Sequence, residues 1–210
     1  MIDVNHQISA VRRAVGSRVL EAGEARVVTV GQSYATDAAD LWDACTNIDR
    51  IPRWFLPITG DLKVGGQYQL EGNASGTILT CDPPRAFTAT WEYGGAVSWI
   101  EVHVTDQGPD EARLELEHIA HVDDDTWRQF GPGAVGIGRD LGLVGLAIHQ
   151  GTGESLDPTF GQQWTATEDG RRFMSLSSEA WFDADVAGGA DPEAARAHAD
   201  RCAAAYLAEA

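Results

Sequence analysis

The feature that most constrains the fold is the stretch from Asp61 to Ala120, where short runs of residues are bounded by Gly, Pro or Asp. The runs KVGGQYQLEG, SGTILTCDPP, RAFTATWEYGG, SWIEVHVTDQGPD and EARLELEHIA are rich in β-branched and aromatic residues. Strands joined by such short turns predict an antiparallel meander. A strand repeats every second residue, so side-chain parity assigns faces. Phe87, Ala89, Trp91 and Tyr93 share one face; Ile100, Val102 and Val104 are opposed by Glu101 and His103; Leu114, Leu116 and His118 are opposed by Glu115 and Glu117. His118 therefore sits on an apolar face.

The flanking segments read differently. ARVVTVGQSY (Ala25 to Tyr34) predicts a first strand, and Thr36 or Asp37 caps a helix with Ala38, Leu41, Trp42 and Cys45 on its face. A second short helix is expected from Asn47, carrying Ile48 and Ile51, with Pro52 inside it and Pro57 closing it. Ile8, Val11 and Val15 fall at helical spacing, but Gly16 and Gly23 interrupt them, which predicts a partly ordered arm over 1–24. After the meander, Ile137, Leu141, Val144 and Ile148 line one side of a helix while Leu143, Leu146 and Ala147 make the other side apolar. Such a helix is buried on both sides. Two further helices are expected, one facing inward with Phe173, Ser177, Ala180, Trp181 and Ala184. The other is capped by Asp191 with Pro192 in its first turn and buries Ala195, Ala199, Cys202, Ala203 and Tyr206. The reading divides the chain into an arm (1–24), a main domain (25–150) and a helical C-terminal extension packed on it (151–210). GPGAVGIG lacks the lysine of a phosphate loop and reads as the bent start of a helix. Asn73 to Gly76 reads as a hairpin turn with positive φ.

Composition narrows the function. The 15 basic and 32 acidic residues give a formal charge of −17, which repels phosphate backbones and anionic headgroups. Nucleic acid and membrane insertion are thus not expected. Cys45, Cys81 and Cys202 are odd in number and scattered, which predicts a reducing compartment without disulfides. The first residues lack an apolar secretion core, and no run of about 18 apolar residues occurs. The expectation is a soluble, cytoplasmic protein.

The order of elements, with the motifs LWDACTNIDRIPRWFLP, VGGQYQLEGNASGTILTCDPPRAFTATWEY, SWIEV and RLELEH, resembles the SRPBCC (START-like) superfamily in its branch named for activators of the heat-shock-protein ATPase. The resemblance covers residues 25–120 most strongly, and WRQFGPGAVGIGRDLGLVGLAIH is similar to what related members carry after the sheet. It implies an α+β helix-grip fold: a curved antiparallel sheet wrapped around a long C-terminal helix, here with extra C-terminal helices. It also implies a deep cavity for lipids, polyketides, steroids or other apolar molecules, with a minority of members being cyclases, dehydrases or hydrolases. Trp54 matches the family's RW position, Trp91 its TW position and His118 its last-strand histidine.

The candidate ligand-binding residues are Trp54, Trp91, Trp99, Leu114, Leu116, His118, Trp127 and Leu141. Indoles supply apolar area with one donor, and an imidazole could bind a carbonyl or move a proton near neutral pH. No catalytic residue is assigned. No metal and no cofactor are expected: His121 with Asp123, Asp124 and Asp125 reads as a turn leading into a helix whose N-terminus favours acids. Ser98, Ser155 and Ser175 lack the GxSxG elbow of a serine hydrolase. Three functions follow in order: binding of a small apolar or aromatic ligand by a carrier, sensor or sequestering protein; a cyclase or dehydrase using the same cavity; and a co-chaperone-like interaction module. The apolar faces of the C-terminal helices would pack on the same chain or in a homodimer.

Overall fold

The computed structural model describes residues 2–157 and 159–208. The chain is α+β and has the helix-grip fold, with an antiparallel curved sheet of eight strands and, among the described residues, seven α-helices. The elements run α1 (Val4–Ala10), β1 (Arg12–Leu20), β2 (Gly23–Tyr34), α2 (Ala38–Thr46), a 3-10 turn (Ile51–Arg53), β3 (Ile58–Gly60), β4 (Gln67–Leu70), β5 (Ser75–Asp82), β6 (Ala86–Tyr93), β7 (Ala96–Gly108), β8 (Glu111–Ala120), α3 (Asp124–Phe130), α4 (Gly133–Thr152), α5 (Phe160–Thr165), α6 (Glu168–Ala187) and α7 (Pro192–Ala208). The strand order is β1-β2-β8-β7-β6-β5-β4-β3. No helix among the described residues is long and apolar enough to cross a membrane.

Two compact units make up the chain. One comprises Met1–Val30, His121–Val144 and Thr159–Ala210; the other comprises Gly31–Ala120 and Gly145–Pro158. These limits cut across the sequence-based division, because both ends of the chain belong to one unit.

In the first unit, α6 packs against α1, β1, α5 and α7, and α3 packs against α7. Of the expected face of α6, Phe173, Ser177, Trp181 and Ala184 are buried and Ala180 is half-buried, with Met174 buried beside them. Asp191 accepts from the Glu193 and Ala194 amides and so caps α7. Close approach explains one glycine of α4: a Cβ at Gly136 would stand 2.2 Å from Trp181 Cε2. Gly136→Ala should therefore displace the indole and cost about 1–3 kcal/mol, measurable by chemical denaturation.

The N-terminal segment, expected as a partly ordered arm, forms a helix and a strand. Asp3 caps α1 by accepting from the His6 amide at 3.0 Å, and residues from Arg12 form a strand. Gly16 does not break β1 because it is exposed with open space around it. Alternation in β1 is hidden from sequence because half-buried positions are held by Arg13 and Arg18 as well as Val15 and Leu20.

In the second unit, the helix expected from Asn47 is a single 3-10 turn. Asn47 instead ends α2, its amide donating to the Asp43 carbonyl at 2.9 Å, and Pro52 occupies the start of the turn. The five runs of the meander between Asp61 and Ala120 are β4 to β8, as expected, and the short β3, which lies ahead of Asp61, pairs with β4 at their edge. The positive φ of the β4–β5 turn falls on Gly72 and not between Asn73 and Gly76. The core of this unit is Tyr68, Leu70, Ile78, Ala89 and Ile100, with Phe55, Leu56, Ile58, Leu62, Phe87 and Trp91 packed against it.

Candidate functional site

Register builds one apolar sheet face in the second unit. Ala89 pairs with Ile100, Trp91 with Ser98 and Phe87 with Val102 between β6 and β7. Across the next ladder, Ile100 pairs with His118, Val102 with Leu116 and Val104 with Leu114. Paired residues lie on the same side of a sheet, so Trp91, Leu114, Leu116 and His118 share one face, as parity predicts. Leu114 and His118 are buried there, whereas Leu116 and Trp91 are half-buried.

A hydrogen-bond chain crosses this face. The Ser98 hydroxyl donates to the Trp91 carbonyl at 2.9 Å and lies 2.9 Å from His118 Nε2. Because the hydroxyl proton is used on the carbonyl, Nε2 carries the proton donated to Ser98 Oγ. The Trp91 indole meets the imidazole edge-on, with ring centroids 6.3 Å apart. One oriented polar pair thus stands among aliphatic and aromatic side chains.

Aromatic groups gather on the same face. Trp42 of α2 meets Phe87 edge-on at 6.1 Å, and Phe55 packs on the core beside Phe87 and Trp91. All four rings are half-buried. Neither Trp42 nor Phe55 was among the sequence candidates. Trp42 adjoins the fully buried Leu41 on a short helix, where periodicity cannot separate packing from lining; Phe87, at strand spacing from Trp91, was the available signal.

The remaining candidates are placed elsewhere. Trp99 pairs with Thr90 and Ile119, and its odd position puts it on the face opposite His118. Trp54 donates its indole N–H to the Ala44 carbonyl at 2.8 Å and stacks at a tilt on Phe55, so it ties the 3-10 turn to α2. A Cβ at Gly145 would stand 2.1 Å from the Trp54 carbonyl oxygen, which explains the glycine where α4 passes this turn. Trp127 and Leu141 belong to the first unit. There Trp127 lies under the Arg26 guanidinium, 5.1 Å from the ring centroid. Leu141 is half-buried.

A second polar node in this unit was not foreseen. Arg50 pairs with Asp40 at 2.7 Å and Asp43 at 3.0 Å. The hydrogen bond from Arg50 holds the Asp40 carboxyl below its ordinary range. His149 is buried; its Nδ1 donates to the Glu154 carbonyl at 2.8 Å, and its Nε2 faces Arg50 Nε at 3.4 Å. This node fastens α2 to the end of α4. Its members lie far apart in sequence, so no local motif announces it.

Other reactive-looking groups are occupied. Burial pushes the Cys45 thiol up to about 12 and the Cys202 thiol up to about 11, so neither is a ready thiolate at neutral pH. Asp123 caps α3 by accepting from the Thr126 amide at 2.8 Å, as expected of a helix start. His121 Nδ1 donates to the Glu24 carbonyl at 3.1 Å.

Comparison with known proteins agrees with this architecture. The family described as "Activator of Hsp90 ATPase homolog 1-like protein" matches residues 35–138. CalU16 from Micromonospora echinospora is similar in a crystal structure and in a solution NMR structure. Its crystal structure is 35% identical, covering 80% of this chain and 98% of that one, with a TM-score of 0.61. Its solution NMR structure is 34% identical, covering 86% and 97%, with a TM-score of 0.69. DynU16, from the dynemicin biosynthetic locus, is 16% identical over 61% of this chain and 48% of that one, with a TM-score of 0.55, a likeness of fold alone. No curated protein matches the chain. With a third of its residues shared along almost the whole of CalU16 and the family match over the central elements, the chain belongs to the activator of Hsp90 ATPase homolog 1-like family of the SRPBCC superfamily.

Proposed function

We propose that the protein binds a small apolar or aromatic molecule against the inner face of the second unit's sheet, as a carrier, sensor or sequestering protein. The observation that carries this reading is the half-buried aromatic group Trp42, Phe55, Phe87 and Trp91 around the Ala89–Ile100 pair, with the Ser98–His118 hydrogen bond at one end. Small-molecule sites are built in this way, mostly apolar with a few placed polar groups. The fold is one whose members commonly bind hydrophobic ligands.

Binding ranks ahead of catalysis for a chemical reason. On the β7 side, the neighbours of His118 on its face are Ile100 and Ser98. Neither is the second titratable group that a cyclase or dehydrase would need beside the imidazole.

Thermal unfolding with a panel of fatty acids, polyketides, flavonoids and steroids tests the reading. A ligand at a hundred times its Kd adds about 2.7 kcal/mol, and each kcal/mol raises Tm by roughly 2–4 °C in a chain of this size. Trp91→Ala should weaken every ligand that binds. Ser98→Ala should weaken those bearing a hydroxyl, whose proton the remaining lone pair of Oγ can accept, by about tenfold, more than plain hydrocarbons. Absence of any shift across the panel would reject the proposal.

A further inference from the structure

The other face of the same sheet carries a recess of about 260 Å³ near the β3 edge, lined by Thr59, Gln67, Gln69, Ser75, Thr77 and Glu92. Register makes these one contiguous patch from four strands. Thr59 pairs with Gln69, Gln67 with Thr77, Gln69 with Ser75, and Ser75 with Glu92. Tyr68, which alternates with them on β4, turns into the apolar core. The recess and the aromatic group are therefore on opposite sides of the sheet.

The polar groups in and around the recess fall into two sets by what they bond. Close by, the Thr80 and Thr88 hydroxyls bond each other at 2.8 Å. Thr90 donates to Glu92 Oε1 at 2.9 Å and accepts from the Thr77 amide at 2.8 Å. Gln69 Nε2 is held by the Leu70 carbonyl at 2.7 Å. By contrast, among the described residues the hydroxyls of Thr59, Ser75 and Thr77 and the carboxamide of Gln67 carry no side-chain hydrogen bond within the chain. Three hydroxyls, two carboxamides and one carboxylate thus converge on a single concave surface.

We infer that this recess is a binding site for a neutral polyhydroxylated molecule of monosaccharide size. Hydroxyls and carboxamides both donate and accept, as does each hydroxyl of a sugar, and a carboxylate takes two donors at once. No lysine or arginine lines the recess, and the formal charge of −17 repels phosphorylated or acidic ligands. The volume is below the roughly 300–1,000 Å³ of sites for drug-sized ligands, which selects one small ring.

Titration of the ¹⁵N-labelled protein with methyl glucoside, methyl galactoside and myo-inositol, followed by amide chemical shifts, tests the inference. Ethanolamine and glucose 6-phosphate serve as cationic and anionic probes. The expected result is saturable shifts confined to β3, β4, β5 and the end of β6 with at least one neutral polyol, and no such response to glucose 6-phosphate. Glu92→Gln and Thr77→Val, both of nearly conserved shape, should each weaken that polyol by about tenfold or more while the remaining amide spectrum stays in place. Trp91→Ala should leave polyol binding unchanged, so failure at the recess and failure of the apolar-ligand reading are separate outcomes. The inference is overturned if no polyol produces saturable shifts at these strands. It is equally overturned if ethanolamine alone does so through Glu92, or if the Glu92 and Thr77 variants bind the polyol as well as the parent.

Discussion

Replacing Arg13 by methionine is expected to lower stability by about 3–5 kcal/mol, a fall in Tm on the order of 10 °C. Asp140 of α4 is fully buried and accepts on Oδ2 from Arg13 Nε at 2.9 Å, Ser177 Oγ at 2.5 Å and Trp181 Nε1 at 3.1 Å. Arg13 also donates through Nη1 to the Ile8 and Val11 carbonyls, so one guanidinium joins α1, β1 and α4. Removing it leaves a carboxylate in a dry site with only two neutral donors. Burial already holds the Asp140 carboxyl above its ordinary range, opposed mainly by Arg13. Without Arg13 it rises further.

The sign of the pH dependence follows from that shift. A carboxyl whose folded pKa is raised contributes its full stability below the unfolded value near 3.9, and that contribution is lost as pH rises through the folded value. The deficit of Arg13→Met should therefore be larger at pH 7 than at pH 5, and adding Asp140→Asn should recover much of it, because the amide oxygen still accepts from Ser177 and Trp181 without a charge. Urea denaturation of the single and double variants at both pH values provides the measurement. A deficit below about 1 kcal/mol, or one equal at both pH values, would show that the pair is not what holds these elements together.

Deleting residues 160–210 is expected to be more severe: the remaining chain should aggregate or fail to fold. Phe173, Met174 and Trp181 are at most 1% exposed, and burying each such side chain is worth roughly 1.5–3 kcal/mol. Their loss also strips α1, β1 and α3 of the helices they pack on. Since a domain has only about 5–15 kcal/mol in hand, the first unit could not survive the removal. Expression followed by size-exclusion chromatography and a melting curve checks this; a soluble truncated monomer with unchanged Tm would contradict it.

What could be read from the residues alone were the local regularities. Alternation over Phe87 to Trp91, Ile100 to Val104 and Leu114 to His118 assigned an apolar face that the ladders reproduce, because the period of a strand belongs to the strand itself. Asp37, Asp123 and Asp191 marked helix starts through their own short-range bonds. The same parity already separated Trp99 from His118; grouping the tryptophans by residue type concealed it. Whatever depended on contacts distant in the chain was not legible. β1 carries arginines at half-buried positions, and the α6 helix that packs on it begins far beyond it in sequence. Ser98 joins His118 through the register of β7 on β8, Arg13 meets Asp140 across the first unit, and Arg50 faces His149 across the second. Periodicity states which way a side chain points, but pairing register and helix packing decide what it meets, and those are set by the burial of the whole unit rather than by any one segment.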